Sequence, residues 1–332
     1  MEQTIRKNYN NIDLFKFIMA LVVVAIHTGP FAAAGPLINR IWTPLSQLAV
    51  PFFFLSSTFL IGDRNPTPEA LLPALRKQTR KIAKLYLIWT AAYLPLTVYH
   101  FITAGYSVPA ALRSFLQGTL FIGENFNSWM LWYLLSALYA QLFTIAMLKK
   151  DMKPWQIVIG GGVIFLLGSM ISELMGYGGP LPSFLSGVKQ VVSQTIVSGR
   201  ILTGFLYIPL GILLSCKRPG PIVSLVLAIV GFAGNFFLDG IAGDVLLAIS
   251  SVGVFCLILQ ISLKDAPIFS ILRSLSTSVY FIHMYIWTLY YLLVYGYTKQ
   301  GLDAFLVSAG ISLIIAYAYI VIRRLHLTRK SS

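Results

Sequence analysis

The chain has 332 residues, 57% of them hydrophobic and only 11% charged, with a formal net charge of +14. A soluble domain carries roughly 25% charged residues, and a mean hydropathy of +0.77 instead places the chain among polytopic membrane proteins, with almost no sequence left for a soluble domain. The positive charge has no basic domain to hold it, which argues against nucleic acid and for flanking charge that fixes topology.

Apolar runs of the length a bilayer demands, roughly 17–25 residues, occur at 12–30, 41–61, 83–103, 128–148, 155–175, 200–216, 221–239, 244–262, 274–297 and 303–322. The runs are continuous and do not alternate, so helices are expected rather than barrel strands. The expected fold class is all-α, with ten transmembrane helices forming one domain over 1–332. Nineteen basic residues, from Arg6 and Lys7 to Lys330, fall in one set of connecting segments; only Arg40, Arg113, Lys189, Arg200 and Lys299 fall in the other. The richer side reads as cytoplasmic, which puts both termini there and implies a bacterial-type cytoplasmic membrane.

The first run opens Asp13-Leu-Phe-Lys16 and reaches His27 eleven residues after the lysine. Eleven residues make close to three turns, so Lys16 and His27 project from nearly one face, about 16 Å apart along the axis. Ionisable groups inside a span are functional hypotheses by default; the plainer alternative is a snorkelling lysine and a hydrogen-bonded structural histidine. Ala32-Ala33-Ala34 after this run has the look of a signal-peptide cleavage site, but Asp13 and Lys16 interrupt the run and Pro30 follows closely, so an uncleaved span is expected.

The second run carries Pro51, which removes a backbone donor and should kink the helix, and Ser56 and Ser57, whose hydroxyls can bond back to the helix. Before the third run, Arg76, Lys77, Arg80, Lys81 and Lys84 place five cations within nine residues. At helical spacing Lys77, Arg80, Lys81 and Lys84 share a face. Topology and anionic lipid explain such a run; charge-assisted bonds to phosphate are the sharper reading. The fourth run begins Ser128-Trp129-Met-Leu-Trp132, either an interfacial aromatic belt or a stacking surface for substrate. Gly160-Gly161-Gly162 in the fifth run suits close helix packing. Glu124, Glu173 and Asp239 are carboxylates on the expected outer side. The ninth run holds a second intramembrane histidine, His283, structural or catalytic; His100 and His326 read as ordinary interface residues. Cys216 and Cys256 sit where a disulfide is disfavoured. No C-x-x-C or H-E-x-x-H spacing indicates a metal, and no glycine-rich phosphate loop or duplicated half is visible.

These pieces together resemble acyltransferase family 3, integral-membrane enzymes that O-acylate surface glycans and related acceptors. Lys16-x10-His27 is similar to the family's R-x10-H motif, and Leu48-Ala-Val-Pro51-Phe-Phe-Phe-Leu-Ser56-Ser57 to its V-P-x-F-F-x-x-S-G segment. Arg80-Lys81-Ile-Ala-Lys84 resembles its R-x-x-R element, Trp129 to Leu134 its W-x-x-W/F-x-L segment, and Ser278-Val-Tyr280-Phe-Ile-His283 its S-Y-x-I-Y-x-x-H run. Two departures stand out. Lys16 replaces the usual Arg, which loses bidentate contact and keeps a point charge, and Ser57 replaces the usual Gly.

The resemblance implies a membrane O-acyltransferase with an acyl-CoA donor, most simply acetyl-CoA, and no metal. Phosphates would meet Arg80, Lys81 and Lys84, with Arg76 and Lys77 beside them. The pantetheine arm would pass Lys16 toward His27, which would act as general base on the hydroxyl of an extracytoplasmic carbohydrate or lipid-linked glycan. His283 is the second catalytic candidate, and Trp129, Trp132, Glu124 and Glu173 are the substrate-binding candidates. An acyl-histidine intermediate is the competing chemistry. Asp13 is about 21 Å from His27 along the helix, too far to orient it. The alternative function is a transporter for a small polar substrate such as an amino acid or glycan precursor, with Lys16 and His27 lining the pathway.

Overall fold

A computed structural model describes residues 8–329, with side chains through 324; Arg6, Lys7, Lys330 and the side chain of His326 lie outside the described residues. Thirteen α-helices follow one another: α1 (Asn10–Thr28), α2 (Pro36–Gln47), α3 (Ala49–Arg64), α4 (Pro68–Thr103), α5 (Val108–Gln117), α6 (Trp132–Leu148), α7 (Pro154–Gly176), α8 (Ser183–Thr195), α9 (Gly204–Cys216), α10 (Pro221–Phe237), α11 (Gly240–Gln260), α12 (Pro267–Tyr290) and α13 (Leu302–Arg329). Among the described residues there is no strand. The all-α expectation therefore holds. Among the described residues nine helical segments are long and apolar enough to cross a membrane, and the remaining expected span, 221–239, coincides with α10, a 17-residue apolar helix.

Local sequence explains most boundaries. Pro opens α4, α7, α10 and α12, where its missing N–H is no loss and its fixed φ suits a first turn. Thr67 caps α4 by accepting from the Ala70 amide. Gly29 ends α1 in the left-handed region at φ 57°, its N–H donated to the Ala25 carbonyl, and Pro30 completes the stop signal. Three expectations shift. The second span is α2 and α3 with a break at Leu48, one turn before Pro51, whose absent N–H leaves that turn unsupported. The third span begins not at 83 but at Pro68, so the basic run is the first half of one 36-residue helix, about 54 Å long. The ninth span begins at Pro267, which puts Arg273 inside α12 rather than before it.

By contacts the chain forms two compact units. The first is drawn from the described parts of 1–52, 219–232 and 249–332. Its centre is α1 packed on α12, with α13 against both. Val24, Leu275, Val279, Ala309 and Ala316 form the buried cluster between them. The start of α1 is tied down by Asn11, which donates to the Ile258 carbonyl at 2.7 Å, and by Asn10, which donates to Asp265 at 2.7 Å. Cys256 is buried in α11 and forms no disulfide among the described residues.

The second unit is drawn from 53–218 and 233–248. Here α9 packs on α6 and α7, and α4 on α6. Thr58 reaches the Ile208 carbonyl at 2.9 Å, and Thr79 meets Gln141 at 2.8 Å. Of the three consecutive glycines in α7, only Gly161 lies against a neighbouring backbone, at the Phe205 carbonyl; positions 160 and 162 face side chains. Close packing is thus the work of one glycine rather than three. Ser56 and Ser57 bond back to Phe53 and Phe54 as anticipated, at 3.3 and 2.8 Å.

The register of α1 on α12 is fixed by an ion pair. Arg273 Nε donates to Asp13 Oδ1 at 2.8 Å, and Nη2 pairs with Oδ2. The Asp13 side chain is 4% exposed and that of Arg273 56%. An Arg273→Ala substitution would leave a buried carboxylate without its cation, at a cost of about 2–3 kcal/mol. The melting temperature in detergent should fall for Arg273→Ala and recover in part for Asp13→Ala/Arg273→Ala. Equal melting temperatures for wild type and Arg273→Ala would remove this pair from the account of stability.

Candidate functional site

The histidines meet within the first unit. His27, two residues before the left-handed Gly29 that ends α1, stacks on His283 of α12 with ring centroids 5.4 Å apart and planes 26° from parallel. His283 is fully buried, whereas His27 is half-buried. The Nδ1 of His283 lies 3.1 Å from the Val279 carbonyl. A carbonyl only accepts, so Nδ1 carries the proton and the neutral ring presents an unprotonated Nε2. That Nε2 is buried with no hydrogen-bond partner among the described residues. A second positive charge 5.4 Å from the first would cost ~3 kcal/mol at an effective dielectric near 20. The geometry therefore disfavours two positively charged rings at once.

Lower on the same helix pair, the Ser276 hydroxyl donates to the Lys16 carbonyl at 3.1 Å. Contacts therefore run Asp13 to Arg273, Lys16 to Ser276 and His27 to His283, in ascending order on both helices, so α1 and α12 are parallel. Lys16, His27 and His283 thus share one helix pair, and Asp13 is occupied with Arg273 rather than with a histidine. Sequence reading missed Arg273. The signal was present: Arg273, Ser276, Tyr280 and His283 recur at spacings of three and four, one face of a helix. Placing the span start at 274 hid its first member.

The remaining candidates lie in the second unit. Arg76, Lys77, Arg80, Lys81 and Lys84 are all exposed on the first half of α4. None of the ion pairs among the described residues uses them. Glu124 pairs with Arg200, whose guanidinium lies 5.5 Å over the Trp132 ring. Burial pushes the Glu124 carboxyl above its usual range, and Arg200 works against that. The loop bearing Glu124 is held by the Tyr86 hydroxyl, which donates to the Thr119 carbonyl at 2.6 Å, and by Asn125 and Ser128, which bond to one another. Trp129 is half-buried beside it. Glu173 is exposed in the last turn of α7 beside Gly240, and the residue before it, Ser172, accepts from the Gly199 amide at 3.1 Å. Arg200, counted above only for topology, joins Glu124 and Trp132 through contacts that no local sequence pattern announces. No cluster of three or more metal-type ligands occurs among the described residues.

The acyltransferase domain profile of acyltransferase family 3 matches residues 9–321. The chain belongs to this family. It is thereby an integral membrane protein of an acyltransferase family, and the domain covers both compact units. Among curated proteins it is similar to an amino-acid racemase of Enterococcus faecalis, at 33% identity over 156 residues, covering 43% of this chain and 21% of the relative. A serine/alanine racemase of Enterococcus gallinarum is 30% identical over 125 residues, covering 36% of this chain and 17% of the relative. The chain thus spans about a fifth of the length of these relatives. No solved structure matches.

A His283→Phe substitution keeps an aromatic ring against His27 and removes the buried nitrogen. The expected result is an unchanged melting temperature in detergent with acyl transfer reduced about a hundredfold, the low end of a general acid–base contribution. Transfer at the wild-type rate would assign His283 to packing alone.

Proposed function

We propose that the chain moves an acyl group, most simply acetyl, from cytoplasmic acyl-CoA to a hydroxyl of an extracytoplasmic carbohydrate or lipid-linked glycan. The observation that carries this reading is the stacked His27–His283 pair, at 5.4 Å, in the outer half of a helix whose inner half carries Lys16. His27 takes the proton of the acceptor hydroxyl, and the hydroxyl oxygen attacks the thioester carbonyl. The C–S bond then breaks, and the CoA thiolate leaves and recovers a proton. His283, neutral and buried, backs the imidazolium without adding charge.

The donor fits the exposed groups. Five cations on α4 have no carboxylate partner among the described residues and suit the phosphates of CoA, while Lys16 supplies a point charge along the arm. Outside, the Glu124–Arg200–Trp132 group combines a ring, a carboxylate and a cation in the manner of a sugar site, with Trp129 and Glu173 as further candidates.

The topology proposed is ten crossings with both termini in the cytoplasm, in a bacterial-type cytoplasmic membrane. The parallel packing of α1 on α12 supports that count. If α10 crosses, α12 is the ninth span and runs in the same direction as the first; if α10 does not, the two would be antiparallel. The excess of basic residues on one side supports the orientation.

Transport of a small polar substrate is a second reading. It is favoured by relatives whose names concern amino acids, and Lys16 and His27 would then line a path. Two variants separate the readings. For an enzyme, Lys16→Ala weakens acetyl-CoA binding to purified protein, and His27→Gln binds acetyl-CoA normally but loses at least a hundredfold in transfer. Folded wild-type protein that binds no acyl-CoA, yet carries an amino acid into vesicles, would favour transport.

A further inference from the structure

The loop between α12 and α13 is bound to both histidine-bearing helices. Trp287, one turn beyond His283 and fully buried, donates its indole N–H to the Lys299 carbonyl at 2.9 Å. Two residues later the Gly301 amide donates to the Thr28 carbonyl at 2.8 Å. Thr28 follows His27, and its carbonyl is one of the last four in α1, which have no partner within the helix. Gln300, between these two anchors, lies against Gly29. Three consecutive loop residues thus close the turn that carries His27 and tie it to the turn after His283.

The loop is held from its outer side by a second set of bonds. Lys299 Nζ donates to the Tyr295 hydroxyl at 2.7 Å and to Asp303 Oδ2 at 2.9 Å. The same oxygen accepts from Tyr290 at 2.9 Å and Tyr295 at 2.8 Å. Lys299 also lies 4.0 Å from the centre of the Tyr295 ring. The hydrogen bond to Tyr295 and then Asp303 hold the ammonium above the usual lysine range. An isolated exposed ion pair contributes little, but three groups converging on one oxygen form a network. Gly296 at φ 72° and Gly301 at φ 148° allow the chain to reverse within five residues, in backbone regions where a side chain is strained.

We propose that this loop is a strap that positions His27 against His283, with Lys299 and Asp303 as its positioning residues. Neither side chain touches a histidine. Lys299 is instead the residue where two restraints meet: its ammonium is held by Asp303 and Tyr295, and its carbonyl by Trp287. Releasing the ammonium loosens the chain on which the Thr28 carbonyl depends, so the last turn of α1 frays and the His27 ring leaves the stack.

The kinetic part of the test rests on the acyltransferase reading; the chemical part does not. Asp303→Asn, Lys299→Met and Trp287→Phe should each lower kcat about ten- to a hundredfold, the range for a misplacement near 1 Å, with KM for acetyl-CoA unchanged. Lys299→Arg should retain most of the activity. In the same purified proteins, the rate at which diethyl pyrocarbonate modifies His27, followed by mass spectrometry, should rise several-fold while that of His100 stays constant. A general loss of structure would move both rates. Unchanged His27 modification in Asp303→Asn and Lys299→Met overturns the strap, whatever the kinetics. Wild-type protein that transfers no acyl group defeats the acyltransferase reading and leaves the modification rates to decide the strap alone.

Discussion

A carboxylate in the first turns of an apolar helix has to be neutralised, and Asp13 is neutralised by a residue 260 positions away. That ion pair sets how α1 lies on α12. A slide of one turn in either direction would part Asp13 from Arg273, Ser276 from the Lys16 carbonyl and His27 from His283 together. The apolar cluster between these helices and α13 supplies attraction without register, since one Leu or Val replaces another at small cost. Charge and hydrogen bonds supply the register.

The consequence for chemistry is a polar seam in an apolar helix pair. Near its start a buried acid is fully used by a half-exposed arginine. Further along, two imidazoles stack, one of them with a lone pair that no group among the described residues satisfies. A buried polar atom without a partner is costly, and such costs persist where function uses them. The proposed mechanism gives the nitrogen a use, as the neutral neighbour that tolerates a proton on His27.

Much of the architecture was legible because membranes make strict demands. Apolar length alone located the nine described helical segments that are long enough to cross a membrane; the helix starts at Pro154 and Pro221 fell within a residue of their expected positions, whereas those at Pro68 and Pro267 were placed too late. The pairing of Lys16 with His27 on one face is a matter of spacing alone. Other features were hidden for physical reasons. Arg273 was read as loop because hydropathy marks where apolar sequence begins, whereas helix formation begins at the capping turn, seven residues earlier in α12 and fifteen in the extended α4. The contact of His27 with His283 joins residues 256 apart in the chain, and no local pattern encodes it. The Arg200–Glu124 pair is hidden in the same way. The three glycines of α7 carried the right idea, but only the helix phase shows that Gly161 alone meets the backbone of α9.

The most direct measurement of the central claim uses proteoliposomes of uniform orientation. Radiolabelled acetyl-CoA is supplied only on the side bearing the α4 cations, with a hydroxylated glycan acceptor only on the other. The account predicts that label reaches the acceptor with wild-type protein and not with His27→Gln. Label that stays with CoA in the wild type, or that reaches the acceptor equally with His27→Gln, would contradict it.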